Sequence, residues 1–262
     1  MGNGGFCLGE VPAGGKSNEI AAIPGLLQQL NVKGAIVTID AKCCRTGIAR
    51  LVRKKQADYV LGLKGNQGSL HEDVKLYFEG PQLPAGRAYH KVVEKARSAV
   101  ETREYWQSDG ISRLEHSKAW AWLSSIVMAK NTIARCGGTN TNTEVRYFIS
   151  SLRLNAEEAG RAIRSRRMAE SYRRHLDVAF PEDAGHTLDK AAAYNLNIIK
   201  KTAINTLKLI DVGIQKISMK NKRFLICMNF RHYLAKLMAG CLTIFSGAYM
   251  ADYLQKLFMR FS

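Results

Sequence analysis

The run Ile36-Val37-Thr38-Ile39 is short, apolar and rich in β-branched residues, and it ends in a carboxylate, Asp40. β-branched residues favour strands, so Asp40 is predicted to stand where a buried strand meets a turn. Open α/β sheets keep their chemistry at the carboxyl ends of their strands, and an acid there can hold a hard cation or take a proton. An aspartate ahead of a helix also serves as a cap for unpaired backbone N–H groups. Both readings fit the position. A second group is cationic. Arg161, Arg164, Arg166, Arg167, Arg173 and Arg174 surround a single acid, Glu170, in one helical segment. Such a run is either a solvated face or a surface for phosphates, and at this density the repulsion favours a helix that faces DNA. A third group, Ala13-Gly14-Gly15-Lys16-Ser17, has the ending of a phosphate-binding loop. That loop requires glycine where Glu10 stands and a strand ahead of it, so a nucleotide loop is excluded.

The composition agrees with a polyanionic partner. Against 22 Asp and Glu the chain carries 39 Lys and Arg, a formal charge of +17. An excess of that size destabilises a compact chain through self-repulsion and points most often to nucleic acid. Hydrophobic residues make up 46% of the 262, enough for a packed core. The cysteines Cys7, Cys43, Cys44, Cys136, Cys227 and Cys241 form no C-x-x-C pair and no zinc spacing with histidine. A reduced, cytoplasmic compartment fits that usage. Met1 to Gly9 lacks the apolar core of a secretion signal. The longest uncharged stretch, Leu237 to Ala251, is 15 residues. A membrane span needs about 20, so this stretch is predicted to be a buried helix and no membrane partner is expected.

The elements that must position these groups follow from periodicity. Ile20, Ile23, Leu26, Leu27 and Leu30 have helical spacing, with Pro24 inside the pattern to begin a turn or kink it. A strand over 35–39, an amphipathic helix from about Arg45, a strand over 59–63 and a helix through Leu70, Val74, Tyr77 and Phe78 complete an α-β-α-β-α order. The texture changes at Gly80-Pro81. Strands are predicted at 91–94, 100–106, 120–128 and 145–150, with a turn at Gly137-Gly138, and helices at about 156–174, 187–210 and 226–254. Trp106, Trp120 and Trp122 are read as core residues rather than base-stacking platforms.

Taken together, several stretches resemble the ISAs-type, or H-repeat-associated, insertion-sequence transposases. They are Lys16-Ser17-Asn18-Glu19-Ile20, Lys33 to Ala41, Asp58-Tyr59-Val60-Leu61, Lys64-Gly65-Asn66-Gln67, Glu101-Thr102-Arg103, Arg146 to Leu152 and Leu176 to Phe180. The resemblance implies a DDE transposase: an α/β fold with an RNase H-like core interrupted by a β-rich insertion and followed by C-terminal helices. The implied divisions are 1–80 for the first part of the core, 81–152 for the insertion, 153–240 for the helical completion and 241–262 for a C-terminal tail. It further implies three carboxylates holding two Mg²⁺ ions for DNA cleavage and strand transfer, a pairing that suits a hard cation with open positions for phosphate oxygens. Transposon ends and target DNA are the implied partners, with self-association and a bacterial cytosol beside the nucleoid.

Carried over residue by residue, the second family acid falls on Asp40 and the third on Glu170, so both are expected metal ligands and catalytic residues. The first belongs to a strand upstream of Lys16-Ser17-Asn18-Glu19, where this sequence offers fifteen residues and a single acid, Glu10. The first catalytic aspartate is therefore expected to be absent and the chain to be truncated and inactive alone, whether as a transposase copy or as a DNA-binding remnant. Around Glu170 the family's His-Trp and Asn neighbours are replaced by the run Arg166 to His175, one residue shorter than the family pattern, as a local frame error would produce. That stretch keeps only Met168, Ala169 and Tyr172 for a buried face and is expected to pack poorly.

Overall fold

The computed structural model describes residues 6–8, 19–80, 87–96, 99–114, 116–135, 141–180, 189–215 and 217–236. The chain divides into two compact units, residues 13–166 and residues 1–12 with 167–262. Ala13-Gly14-Gly15-Lys16-Ser17, Gly137-Gly138 and Leu237 to Ala251 lie outside the described residues.

In the first unit the order is α1 (Glu19–Gln29), β1 (Ile36–Ile39), α2 (Thr46–Lys54), β2 (Asp58–Leu63), α3 (Gly68–Glu79) and then the strands β3 (Arg87–Ala96), β4 (Ala99–Ser108), β5 (Ser125–Arg135) and β6 (Thr141–Ser150). All six strands form one sheet in the order β1-β2-β6-β5-β4-β3. β1 and β2 are parallel, joined by the crossover through α2, and every other pairing is antiparallel. The β-rich segment thus continues the sheet of β1 and β2 through β6. With α4 (Ala156–Ala179) and the helices that follow it in sequence, this is the α/β, RNase H-like arrangement that the resemblance implies.

Helices cover both faces, which is why β2 reads as an unbroken apolar run. On one face Ile48, Ala49 and Val52 of α2 and Leu70, Val74 and Phe78 of α3 pack on Tyr59, Leu61, Ile126, Tyr147 and Ile149. On the other, Ala159 and Ala162 of α4 meet Val60, Val127 and Phe148. The α4 helix can lie this close because residue 160 is glycine: a Cβ there would stand 2.7 Å from the Tyr105 ring. Asn155 caps α4 by accepting from the Glu158 N–H at 3.1 Å. The Gln107 amide, fully buried, fixes the start of α4 by donating to the Arg153 carbonyl at 3.0 Å and accepting from the Asn155 N–H at 2.7 Å.

Three expectations are corrected. The strand predicted from Trp120 begins at Ser125, because the chain turns through Trp122 with φ 53°. Trp122 is 64% exposed with the Arg53 guanidinium 6.0 Å from its ring centre, so it is not a core residue, whereas Trp120 is buried. The last described helix starts at Met219 rather than 226, since the Ser218 hydroxyl accepts from the Asn221 N–H at 3.2 Å and fixes the N-terminus there. Part of the basic outer face of α2 is also structural: the Lys55 ammonium donates to the Leu27 and Leu30 carbonyls at 2.6 Å, ending α1.

In the second unit α5 (Lys190–Leu209) and α6 (Met219–Met228) pack with the later turns of α4. Tyr172, Leu176 and Ala179 are buried there among Ile204, Leu207, Ile210, Ile226 and Tyr233. The poor packing expected around 166–175 does not hold at Tyr172, whose hydroxyl donates to the Lys201 carbonyl at 2.8 Å.

The charged cluster on β3 and β4 gives a pH prediction. Arg103, 7% exposed, pairs with Glu94 at 3.0 Å and with Glu101, and Arg164 of α4 reaches Glu94 at 2.5 Å. The hydrogen bond from Arg103 holds the Glu94 carboxyl below its ordinary value; partial burial opposes this and Arg164 adds to it. A depressed carboxylate stabilises the fold above the ordinary carboxylate range and loses that contribution as pH falls through its lowered folded value. The urea midpoint should therefore fall on acidification more steeply for the native chain than for Glu94→Gln. Parallel curves would remove Glu94 from the acid response.

Candidate active site

Parallel pairing of β1 with β2, Ile36 against Asp58 through Ile39 against Leu61, puts the carboxyl ends of both strands on one rim. Asp40 emerges there, exposed to solvent. Its Oδ1 accepts from the Ala41 N–H at 2.7 Å and starts the 3-10 turn Ala41–Cys43. The capping reading is thus realised, but on this short turn. The following helix α2 has Arg45 at its N-cap, with no side-chain bond. Capping and a rim position coexist in one residue.

Beneath Asp40 the turn is anchored. Ala41, Cys43 and Cys44 are buried, and burial pushes the Cys44 thiol up to about 12. That thiol stays protonated at neutral pH and is no nucleophile or soft ligand. Gly62 lets the turn cross β2, since a Cβ there would stand 3.2 Å from the Ala41 nitrogen. The second rim loop, the 3-10 turn Gly65–Gln67, closes over the same spot. The Gln67 amide donates to the Ala41 carbonyl at 3.1 Å and the Cys44 carbonyl at 3.3 Å, while its Oε1 accepts from the Lys64 N–H at 3.1 Å. One side chain therefore ties the loop after β2 to the turn after β1. Exposed Lys42 and Lys64 belong to the same two loops. Sequence reasoning quoted Lys64-Gly65-Asn66-Gln67 only as a resemblance; the clamp itself had no local signal, because its partners lie 26 and 23 residues away.

Gln67→Ala should loosen this turn without unfolding the sheet. The loss of hydrogen bonds worth about 1 kcal/mol should speed amide exchange at Cys43 and Cys44 about fivefold. Unchanged exchange there would mean that the buried Cys43 and Cys44 side chains hold the turn alone.

Glu170 lies in the backbone of α4, and its side chain, like those of Arg166 and Arg167, is outside the described residues. Asp40 belongs to the unit 13–166 and Glu170 to the unit that includes 167–262. Among the described residues no three His, Cys, Asp or Glu side chains form a ligand set for a metal ion. Asp40 has the hard-oxygen chemistry that Mg²⁺ prefers, but the described residues do not make up a complete Mg²⁺ site. Of the predicted DNA-facing arginines, Arg161, Arg173 and Arg174 are exposed. Arg164 is corrected: it is exposed but engaged with Glu94.

The second unit holds a cluster that the sequence did not flag. The Lys208 ammonium lies 4.8 Å from the centre of the Tyr172 ring, and burial lowers its affinity for the proton. Burial, then Lys208 and Arg174, also lower His175, whose buried Nδ1 has no hydrogen-bond partner. A neutral imidazole between cations is a packing solution, and these residues are read as structural.

Comparison with known proteins adds what the geometry leaves open. The family profile described as "Transposase DDE domain" matches residues 2–206. The chain is 33% identical over 242 residues to "Putative transposase YncI" of Escherichia coli O157:H7, covering 90% of this chain and 61% of that protein. It is 32% identical over 239 residues to "H repeat-associated putative transposase YhhI" of Escherichia coli strain K12, covering 89% and 62%. An uncharacterized protein in the dhlA 3' region of Xanthobacter autotrophicus is 39% identical over 138 residues, 52% of this chain and 45% of that one. The chain thus spans 45% to 62% of the length of these curated relatives.

Proposed function

Because this chain belongs to the transposase DDE-domain family, we propose that it acts on the DNA of an insertion sequence, gripping duplex DNA in the bacterial cytosol without cutting it alone. The observation that carries the reading is Asp40, the residue at the family's second acid, standing exposed on the sheet rim on a turn clamped by Gln67. Asp40 and Glu170 are two carboxylates where the family uses three, and the residues ahead of Lys16 offer Glu10 as their single acid. Where the third ligand is supplied, Mg²⁺ in this family activates the attacking oxygen and steadies the leaving one. In this chain Asp40 would hold one side of the ion, with Lys42 and Lys64 providing positive charge beside the scissile phosphate. Exposed Arg161, Arg173 and Arg174 support DNA contact.

The test is supercoiled plasmid bearing matching ends, incubated with the purified chain and Mg²⁺ or Mn²⁺. The expected result is a retarded but intact plasmid. Metal-dependent nicking that disappears in Asp40→Ala would overturn the non-cutting reading while supporting Asp40 as the metal residue. No retardation at low salt would sink the DNA reading itself.

A further inference from the structure

The second unit carries an apolar groove of about 770 Å³ between α5 and the stretch from α6 to Leu234. Ile199 and Phe230 on its walls are 63% and 60% exposed, and Leu234 is 42% exposed. The polar groups along it are already used. The Thr202 hydroxyl donates to the Ile198 carbonyl at 2.9 Å and the Thr206 hydroxyl to the Thr202 carbonyl at 3.0 Å. The Arg223 guanidinium is turned to the Ala179 carbonyl and lies over the Phe180 ring at 5.1 Å. A polar ligand would find nothing to bond here, whereas an apolar surface would lose only water.

We propose that the occupant is the chain's own segment 237–251. Tyr233 and Leu234 line the groove, so the backbone leaves Lys236 at its mouth. The next fifteen residues carry no charge, in a chain whose net charge is +17, and the first ionisable side chain after them is Tyr249, followed by Asp252. Met238, Leu242, Phe245 and Tyr249 repeat at i, i+4, i+7 and i+11, the spacing of one helical face. Length agrees as well: the groove follows α5 from Asn195 to Ile210, a run of about 22 Å at 1.5 Å per residue, and fifteen helical residues span the same distance. Being tethered beside the groove, the segment has an effective concentration of about millimolar, which a second copy at micromolar concentration cannot match. The charge pattern thus separates two jobs in this unit: arginines outside for a polyanion, and a neutral tail that completes the apolar interior.

Cys227 lines the groove and is an exposed free thiol, so its reaction with N-ethylmaleimide reports whether the groove is covered. In the full chain, labelling of Cys227 read by peptide mass should be at least tenfold slower than in Phe245→Asp, and independent of protein concentration. Ile199→Asp on the groove wall should release it equally, while Phe258→Asp, beyond the neutral stretch, should leave the rate unchanged. The buried thiols of Cys43 and Cys44, in the other unit, must stay unlabelled, which separates release of the tail from unfolding. Equal labelling in native and Phe245→Asp chains would overturn the proposal. A rate that rises on dilution would also overturn it, assigning the groove to a second copy.

Discussion

Raising salt from about 50 to about 200 mM should cost the protein about 10³-fold or more in affinity for duplex DNA, with little change between sequences. That loss corresponds to about six phosphate contacts and the counterions they release. Charge alone does not locate those contacts, but the structure narrows the candidates. Arg161, Arg173 and Arg174 project from α4 into solvent, and replacing any one with glutamine should lower the slope of log affinity against log salt by about one. Arg164→Gln should behave differently. Its guanidinium already pairs with Glu94 at 2.5 Å, so this change should alter the slope less and lower stability instead. Affinity retained at high salt would refute phosphate-led binding, and unchanged slopes for the three exposed arginines would move the footprint off α4.

Tyr59→Ala should be the most damaging single substitution in the first unit. The Tyr59 ring is fully buried in β2, and its hydroxyl donates to the Ala121 carbonyl at 2.9 Å. Its backbone is held from both sides: its N–H donates to the Ser151 hydroxyl at 2.9 Å, and its carbonyl accepts from the Ser150 hydroxyl at 2.9 Å. Removing the ring should cost about 3–5 kcal/mol, a large fraction of the 5–15 kcal/mol that about defines a domain's stability. Tyr59→Phe removes only the hydroxyl and should cost about 1 kcal/mol. Denaturant unfolding followed by near-ultraviolet circular dichroism separates the two. β2 is the strand against which β1 pairs, so the same loss would release the turn that presents Asp40. Equal, small effects would mean that β2 is supported by its neighbours rather than by this side chain.

Local signals in the chain were enough for some elements and not for others. The α-β-α-β-α order of the first 80 residues was legible because each helix shows its own apolar stripe and each strand its own β-branched run, and those patterns need no partner. The lengths of β3 and β5 were not: Arg87 to Tyr89 and Lys130 to Arg135 look polar or mixed and become strands through ladders to their neighbours. Trp122 shows the same limit in reverse. A large aromatic is core by default, yet the turn before β5 puts it outside, where Arg53 covers it.

For the site, the sequence by itself determined the identity of the acid, its place at the end of an apolar run and the surplus of cations, since these are properties of single residues and near neighbours. It also carried the family, through stretches that match in order along the chain. Tertiary structure alone decided that Asp40 caps a 3-10 turn rather than α2, that Gln67 reaches back 26 and 23 residues to hold that turn, and that Arg164 is engaged with Glu94 on a strand 70 positions earlier. The physical reason is common to all of these. A hydrogen bond or ion pair between distant residues depends on how strands and helices are brought side by side, and the parallel crossover from β1 to β2 is what sets both rim loops together.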